Sequence, residues 1–107
     1  MEINDLAQEI DAISESKGFN QNWNDDKKLL LIHSEVSEIV EEFRKGKEPN
    51  EIYFSEGGKP EGVPIELADT VIRILHFCRH HKIDLESAIK IKIEYNKQRP
   101  YLHGKKF

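Results

Sequence analysis

The sequence predicts an all-α fold: a four-helix-bundle-like domain spanning residues 1–107, completed by association with further copies of itself. Three observations carry this. Apolar residues recur at helical spacing in four separate stretches. Each stretch is bounded by residues that cap or break helices, namely Asn, Asp, Gly and Pro. Hydrophobic residues make up 37% of the chain and charged residues 34%, a balance that suits helices needing one apolar stripe each. A chain of 107 residues buries only a modest core alone, so a homodimer or homotetramer is expected.

The first predicted helix covers residues 4–17. Leu6, Ile10 and Ile13 form its stripe, Asn4 caps it and Gly18 ends it. Residues 19–24 read as a polar loop carrying Phe19 and Trp23. The second helix, residues 26–45, has the strongest pattern, with Leu29, Ile32, Val36, Ile39, Val40 and Phe43 on one stripe. Asp25 or Asp26 is the expected cap, and Gly46 closes the helix. Residues 47–63 hold Pro49, Gly57, Gly58, Pro60 and Gly62. They predict a long loop with at most a short turn of structure over 51–54, and a loop of that length is more often functional than idle. The third helix opens at Pro64, a favourable first position, and runs to His81. The fourth is capped by Asp84, runs to Gln98 and is stopped by Arg99-Pro100.

Several function classes are disfavoured. The net charge of −4 and dispersed basic residues do not suit a nucleic-acid polymer. The single cysteine, Cys78, lies in an apolar helical pattern and reads as a buried structural thiol. The N-terminal stretch lacks the basic and apolar regions of a signal peptide, and no stretch approaches a membrane span. The cytoplasm is therefore the expected compartment.

Chemistry concentrates in two acidic pairs. At roughly 100° per residue, Glu35 borders the apolar stripe of the second helix and Glu38 lies about 60° from it. Glu66 and Asp69 repeat this on the third helix, about half of whose circumference is apolar. Carboxylates at a packing boundary repel one another and desolvate at a cost. A divalent cation removes that cost, and helical bundles build carboxylate sites in this way. Magnesium, with its preference for oxygen ligands, suits the donor set, and Mn²⁺ is a possible substitute. An acidic pair at this spacing is also common on a solvated face, and Arg73, four residues after Asp69, offers an ion pair. Pattern alone leaves the metal and ion-pair readings open.

A resemblance extends these observations. SEVSEIVEEF at 34–43 followed by ELAD at 66–69 resembles the ExxE…ExxD signature of the MazG-like all-alpha NTP pyrophosphatases. NWNDDKKLLL at 22–31 and KIEYNKQRPY at 92–101 are similar to elements of the dCTP pyrophosphatase branch. The resemblance covers about residues 19–104. Ser34 departs from the doubled Glu of many members, and the 47–63 loop is long for compact ones.

The resemblance implies a Mg²⁺-dependent nucleotide pyrophosphohydrolase serving nucleotide-pool house-cleaning, with Glu35, Glu38, Glu66 and Asp69 as metal ligands. Glu38 is the expected residue to orient or deprotonate the attacking water. Lys92, Asn96 and Arg99 share one end of the fourth helix and are expected at the substrate phosphates. Trp23 is expected either to stack on a base or to pack as a lid over the bundle end. His103 and Lys105 are expected to close over phosphates, or to belong to a frayed end. Tyr95 is either core or substrate contact; His33 reads as structural, and His80 and His81 end the third helix, where imidazolium suits the helix dipole. A non-catalytic helical interaction module and a phosphoribosyl-ATP pyrophosphatase-like enzyme are the alternatives.

Overall fold

The computed structural model describes residues 2–100. Four helices, α1 (Ile3–Ser16), α2 (Asp25–Arg44), α3 (Val63–His80) and α4 (Leu85–Lys97), dominate it. Two short strands, β1 (Tyr53–Phe54) and β2 (Pro60–Glu61), lie between α2 and α3. The chain is thus mostly helical, as its pattern predicts. Among the described residues, no helix is long and apolar enough to cross a membrane.

The helix ends follow simple capping chemistry. Asn24, rather than Asp25 or Asp26, caps α2, its side chain accepting from the Lys27 amide at 2.9 Å. At the other end, the Lys47 amide donates to the Glu42 carbonyl and the Gly46 amide to that of Phe43. This is a Schellman closure around the positive φ of Gly46. α3 ends in the same way, with Ile83 donating to Cys78 and Lys82 to Arg79, but the left-handed residue there is Lys82 at φ 56°.

α1 starts differently from the prediction. Asn4 does not cap it; its side-chain amide donates to Asp84 instead. The Ile3 amide donates to Glu86 Oε1 at 2.7 Å, so a carboxylate of α4 serves the first turn of α1. Asp84 caps α4 as expected, accepting from the Ser87 amide. Its hydrogen bonds from Asn4 and Ser87 hold its pKa down to about 2.

α3 is the central element. It packs against α1 on one side and α2 on the other, while the main helical contact of α4 is with α1. The α1–α3 interface has an apolar centre. Ala7, Ile10 and Leu75 are buried there, with Ile3, Leu6 and Leu85 packed around them; Cys78 is buried as expected.

Elsewhere the predicted stripes remain open. Leu29, Val36, Val40 and Phe43 on α2 are each about half exposed, and so are Ile93 and Tyr95 on α4. The Cα radius of gyration, 16.7 Å, exceeds the roughly 13 Å of a close-packed domain of this size.

The long interruption holds a hairpin that the Gly- and Pro-rich sequence had concealed. Tyr53 pairs with Glu61 and Phe54 with Pro60 in antiparallel register. Its anchor is Glu42, buried on α2, which accepts from the Tyr53 hydroxyl at 2.8 Å. That bond, with burial and nearby carboxylates, pushes the Tyr53 pKa up to about 12. Gly62 then leads into α3 at φ 120°; a Cβ there would collide with the Glu51 carbonyl oxygen.

Candidate functional site

The rotation of α2 builds the site. With Glu35 at zero on a helical wheel, Lys28, Ile39 and Glu42 lie within about 40° of it, and the apolar stripe centres near 90°. Lys28, Glu35, Ile39 and Glu42 are buried or half-buried, whereas much of the stripe is open. α2 therefore turns its acidic edge toward α3.

On α3, Glu66 lies in the first turn, where the helix dipole favours negative charge. Asp69 follows three residues later. Glu35, Glu66 and Asp69 each offer a carboxylate oxygen within 4.8 Å of the others, and all three are half-buried. Three of the four predicted ligands thus meet across the α2–α3 interface. Glu38 is exposed and stands outside this trio, yet close enough for its charge to act on Glu66.

The electrostatics record the crowding. Burial, then Asp69 and Glu35, raise the Glu66 pKa above the ordinary glutamate value, and a hydrogen bond shared with Glu35 adds to this. Burial, followed by Glu35, raises that of Asp69; Arg73 and Lys59 oppose the shift. Arg73 Nε donates to Glu35 Oε1 at 3.1 Å. The expected arginine ion pair therefore forms across the helices with Glu35, rather than within α3 to Asp69. Lys59 reaches the field of Asp69 from the end of the hairpin loop.

A cavity of about 400 Å³ opens beside the carboxylates, within the size range of small-molecule sites. Glu35, Asp69 and Arg73 form one part of its wall, and Ile10, Ile13, Phe19 and Ile72 supply apolar surface. Lys28 and His76 complete the lining. His76 is buried, and its Nε2 lies 2.5 Å from Asn20 Oδ1. Burial, then the nearby Lys28, lowers its pKa, which favours neutral imidazole at pH 7.

Sequence reasoning missed Phe19, Lys28, Lys59 and His76 here. Helical spacing offered a signal for two of them: His76 lies two turns beyond Asp69 on nearly the same face of α3, and Lys28 two turns before Glu35 on nearly the same face of α2.

Other predicted residues lie apart. Trp23 packs at the C-terminal end of α3, stacked on the His80 ring at 3.7 Å and 5°. Its indole N–H donates to Asp25 Oδ1 at 2.6 Å. His80 and His81 stand in the same cluster, while His33 is exposed on α2.

Lys92 and Arg99 place their cationic groups 4.9 and 5.5 Å from the Tyr95 ring centroid. Neither they nor Asn96 line the cavity. His103 and Lys105 lie outside the described residues.

The donor set fits a hard divalent cation: three carboxylates, half-buried, of which Glu35 alone is hydrogen-bonded to Arg73. Comparison with known proteins adds no further identity, since no family profile, curated protein or solved structure matches this chain.

Proposed function

We propose that this chain is a divalent-metal-dependent nucleoside triphosphate pyrophosphohydrolase, converting a nucleotide and water to the monophosphate and pyrophosphate. One observation carries the proposal: Glu35, Glu66 and Asp69 converge from two helices, and two of them, Glu35 and Asp69, line a cavity of about 400 Å³. In this reading the three carboxylates hold Mg²⁺, with Mn²⁺ able to replace it. The bound ion would supply charge neutralisation and polarisation at the phosphates.

The protein's own groups divide the remaining work. Glu38, exposed beside the trio, orients and accepts a proton from the attacking water. Lys59 and Lys28 offer point charges toward phosphate oxygens. The apolar wall of Phe19, Ile13 and Ile72 accommodates a base, and neutral His76 presents a polar edge within it.

The proposal includes assembly as a homodimer or homotetramer. The open stripe on α2 and the exposed apolar residues of α4 support it, because soluble monomers rarely leave extended apolar surface open. A second copy would also give Lys92, Asn96 and Arg99 a site to serve that their own chain does not bring to them.

The Arg73–Glu35 bond favours a second reading, a non-catalytic helical module whose acidic pairs are structural. A nucleotide panel with Mg²⁺, assayed for pyrophosphate, separates the two. Release that falls at least about 100-fold in Asp69→Asn and Glu38→Gln, with helical circular dichroism retained, supports the enzyme. No release from any nucleotide by folded, metal-supplied protein refutes it.

A further inference from the structure

The far end of α3 carries a second convergence of donor groups, with different chemistry. Asp25 opens α2, while His80 and His81 close α3. One ligand atom from each lies within 4.8 Å of the others. From Asp69 to His80 is eleven residues along the helix, roughly 16 Å, so this cluster is separate from the acidic trio.

The geometry points to a transition-metal site here, in which Asp25, His80 and His81 hold one divalent ion of the zinc type and clasp the start of α2 to the end of α3.

Three features support it. The first is the donor set: two imidazoles and a carboxylate suit Zn²⁺ and its neighbours, whereas Mg²⁺ keeps to oxygen. The second is preorganisation. The Trp23 indole lies flat on His80 at 3.7 Å, which fixes the ring through its face and leaves its edge nitrogens available. The Trp23 N–H and the His81 Nε2 both meet Asp25 Oδ1 at 2.6 Å, which orients the carboxylate and leaves Oδ2 for an ion. The Trp23 bond is of the outer-shell kind that aims metal ligands, and the His81 contact shows two of the proposed ligands already side by side. The third is the local field: the C-terminus of α3 is the negative end of an eighteen-residue helix and favours a cation.

Trp23 is the sole tryptophan of the chain, so its emission reports on this site. The test uses the full chain without an affinity tag, in excess Mg²⁺. Ni²⁺, an open-shell quencher, is titrated against the emission, and Zn²⁺ is then added as competitor. A calorimetric Zn²⁺ titration measures stoichiometry independently of the indole.

The expected result is saturable quenching at one ion per chain, reversed by Zn²⁺. It weakens at least about tenfold in His81→Gln and in Asp25→Asn, with Glu66→Gln leaving it unchanged. The inference is overturned by the absence of saturable quenching and of calorimetric zinc binding. It is equally overturned if the affinity survives in a His80→Gln/His81→Gln double variant of intact helicity, or is lost in Glu66→Gln. Since the test reads no turnover, its outcome is independent of the pyrophosphohydrolase proposal.

Discussion

α3 meets its two neighbours with opposite chemistry. Toward α1 it offers Leu75 to Ala7 and Ile10, a small dry core. Toward α2 it offers Glu66, Asp69 and Arg73 to Glu35. The first interface stabilises by removing apolar surface from water. The second brings like charges together, and burial makes their ionised forms costly. One helix can therefore separate stability from chemistry by azimuth alone. The comparison also explains the open stripe of α2: the helix has turned its acidic edge inward and left apolar side chains outside.

The largest effect expected from this contrast comes from the dry face. Leu75→Ala should cost about 2–5 kcal/mol, measured by urea denaturation, enough to unfold much of a domain with so small a core. Arg73→Gln should cost about 1 kcal/mol or less in metal-free protein, and added Mg²⁺ should shrink the deficit by replacing the missing positive charge. A deficit independent of metal would make the arginine purely structural.

A smaller effect should run the other way. Glu66→Gln should leave the metal-free melting temperature unchanged or raise it by a few degrees, because it removes a crowded anion. Mg²⁺ should then stabilise wild type more than this variant in a thermal-shift measurement.

The pH dependence follows from the same carboxylates. Glu66 and Asp69 have folded pKa values raised above 4.5 and 3.8, so the folded state holds their protons more tightly than the unfolded state. Their contribution to stability is complete below those ordinary values and is lost as pH rises through the raised ones. Asp84, held at about 2 against an ordinary 3.8, acts in the opposite sense: its contribution is present above 3.8 and disappears as pH falls through 2. Subtracting the Glu66→Gln melting curve from wild type across pH 3–7 isolates the acidic cluster. The difference should fall as pH rises, and saturating Mg²⁺ should flatten it.

The smallest effect concerns a helix end. Lys82 holds the left-handed position that glycine usually takes. Lys82→Gly should stabilise by up to about 1 kcal/mol in chemical denaturation, without altering the acidic cluster.

Much of this arrangement was legible in the chain. The four helices follow from apolar period and from Gly18, Gly46 and Pro64. The pattern also places Glu35, Glu66 and Asp69 at the borders of two apolar faces, where facing helices can bring them together. What stayed hidden depends on azimuth and on distant partners. No local pattern says that α2 prefers its acidic edge against α3, because its apolar stripe predicts the opposite. The hairpin escaped notice because two-residue strands carry no alternation; Tyr53 and Glu42, eleven residues apart, pin it together. Arg73 finds Glu35 across a helix interface, where sequence spacing suggested Asp69. The cavity's Phe19, Lys28 and His76 come from three segments that only the tertiary fold brings together.

The bond from the Ile3 amide to Glu86 has a consequence for the order of events during synthesis. The first turn of α1 is made before the other three helices, yet its carboxylate cap is eighty-three positions downstream. Until that residue leaves the ribosome, the start of α1 is open to fraying. The first of these four helices is thus among the last to be sealed, and a nascent chain halted before residue 86 should exchange its Ile3 amide proton freely while the chain carrying Glu86 protects it.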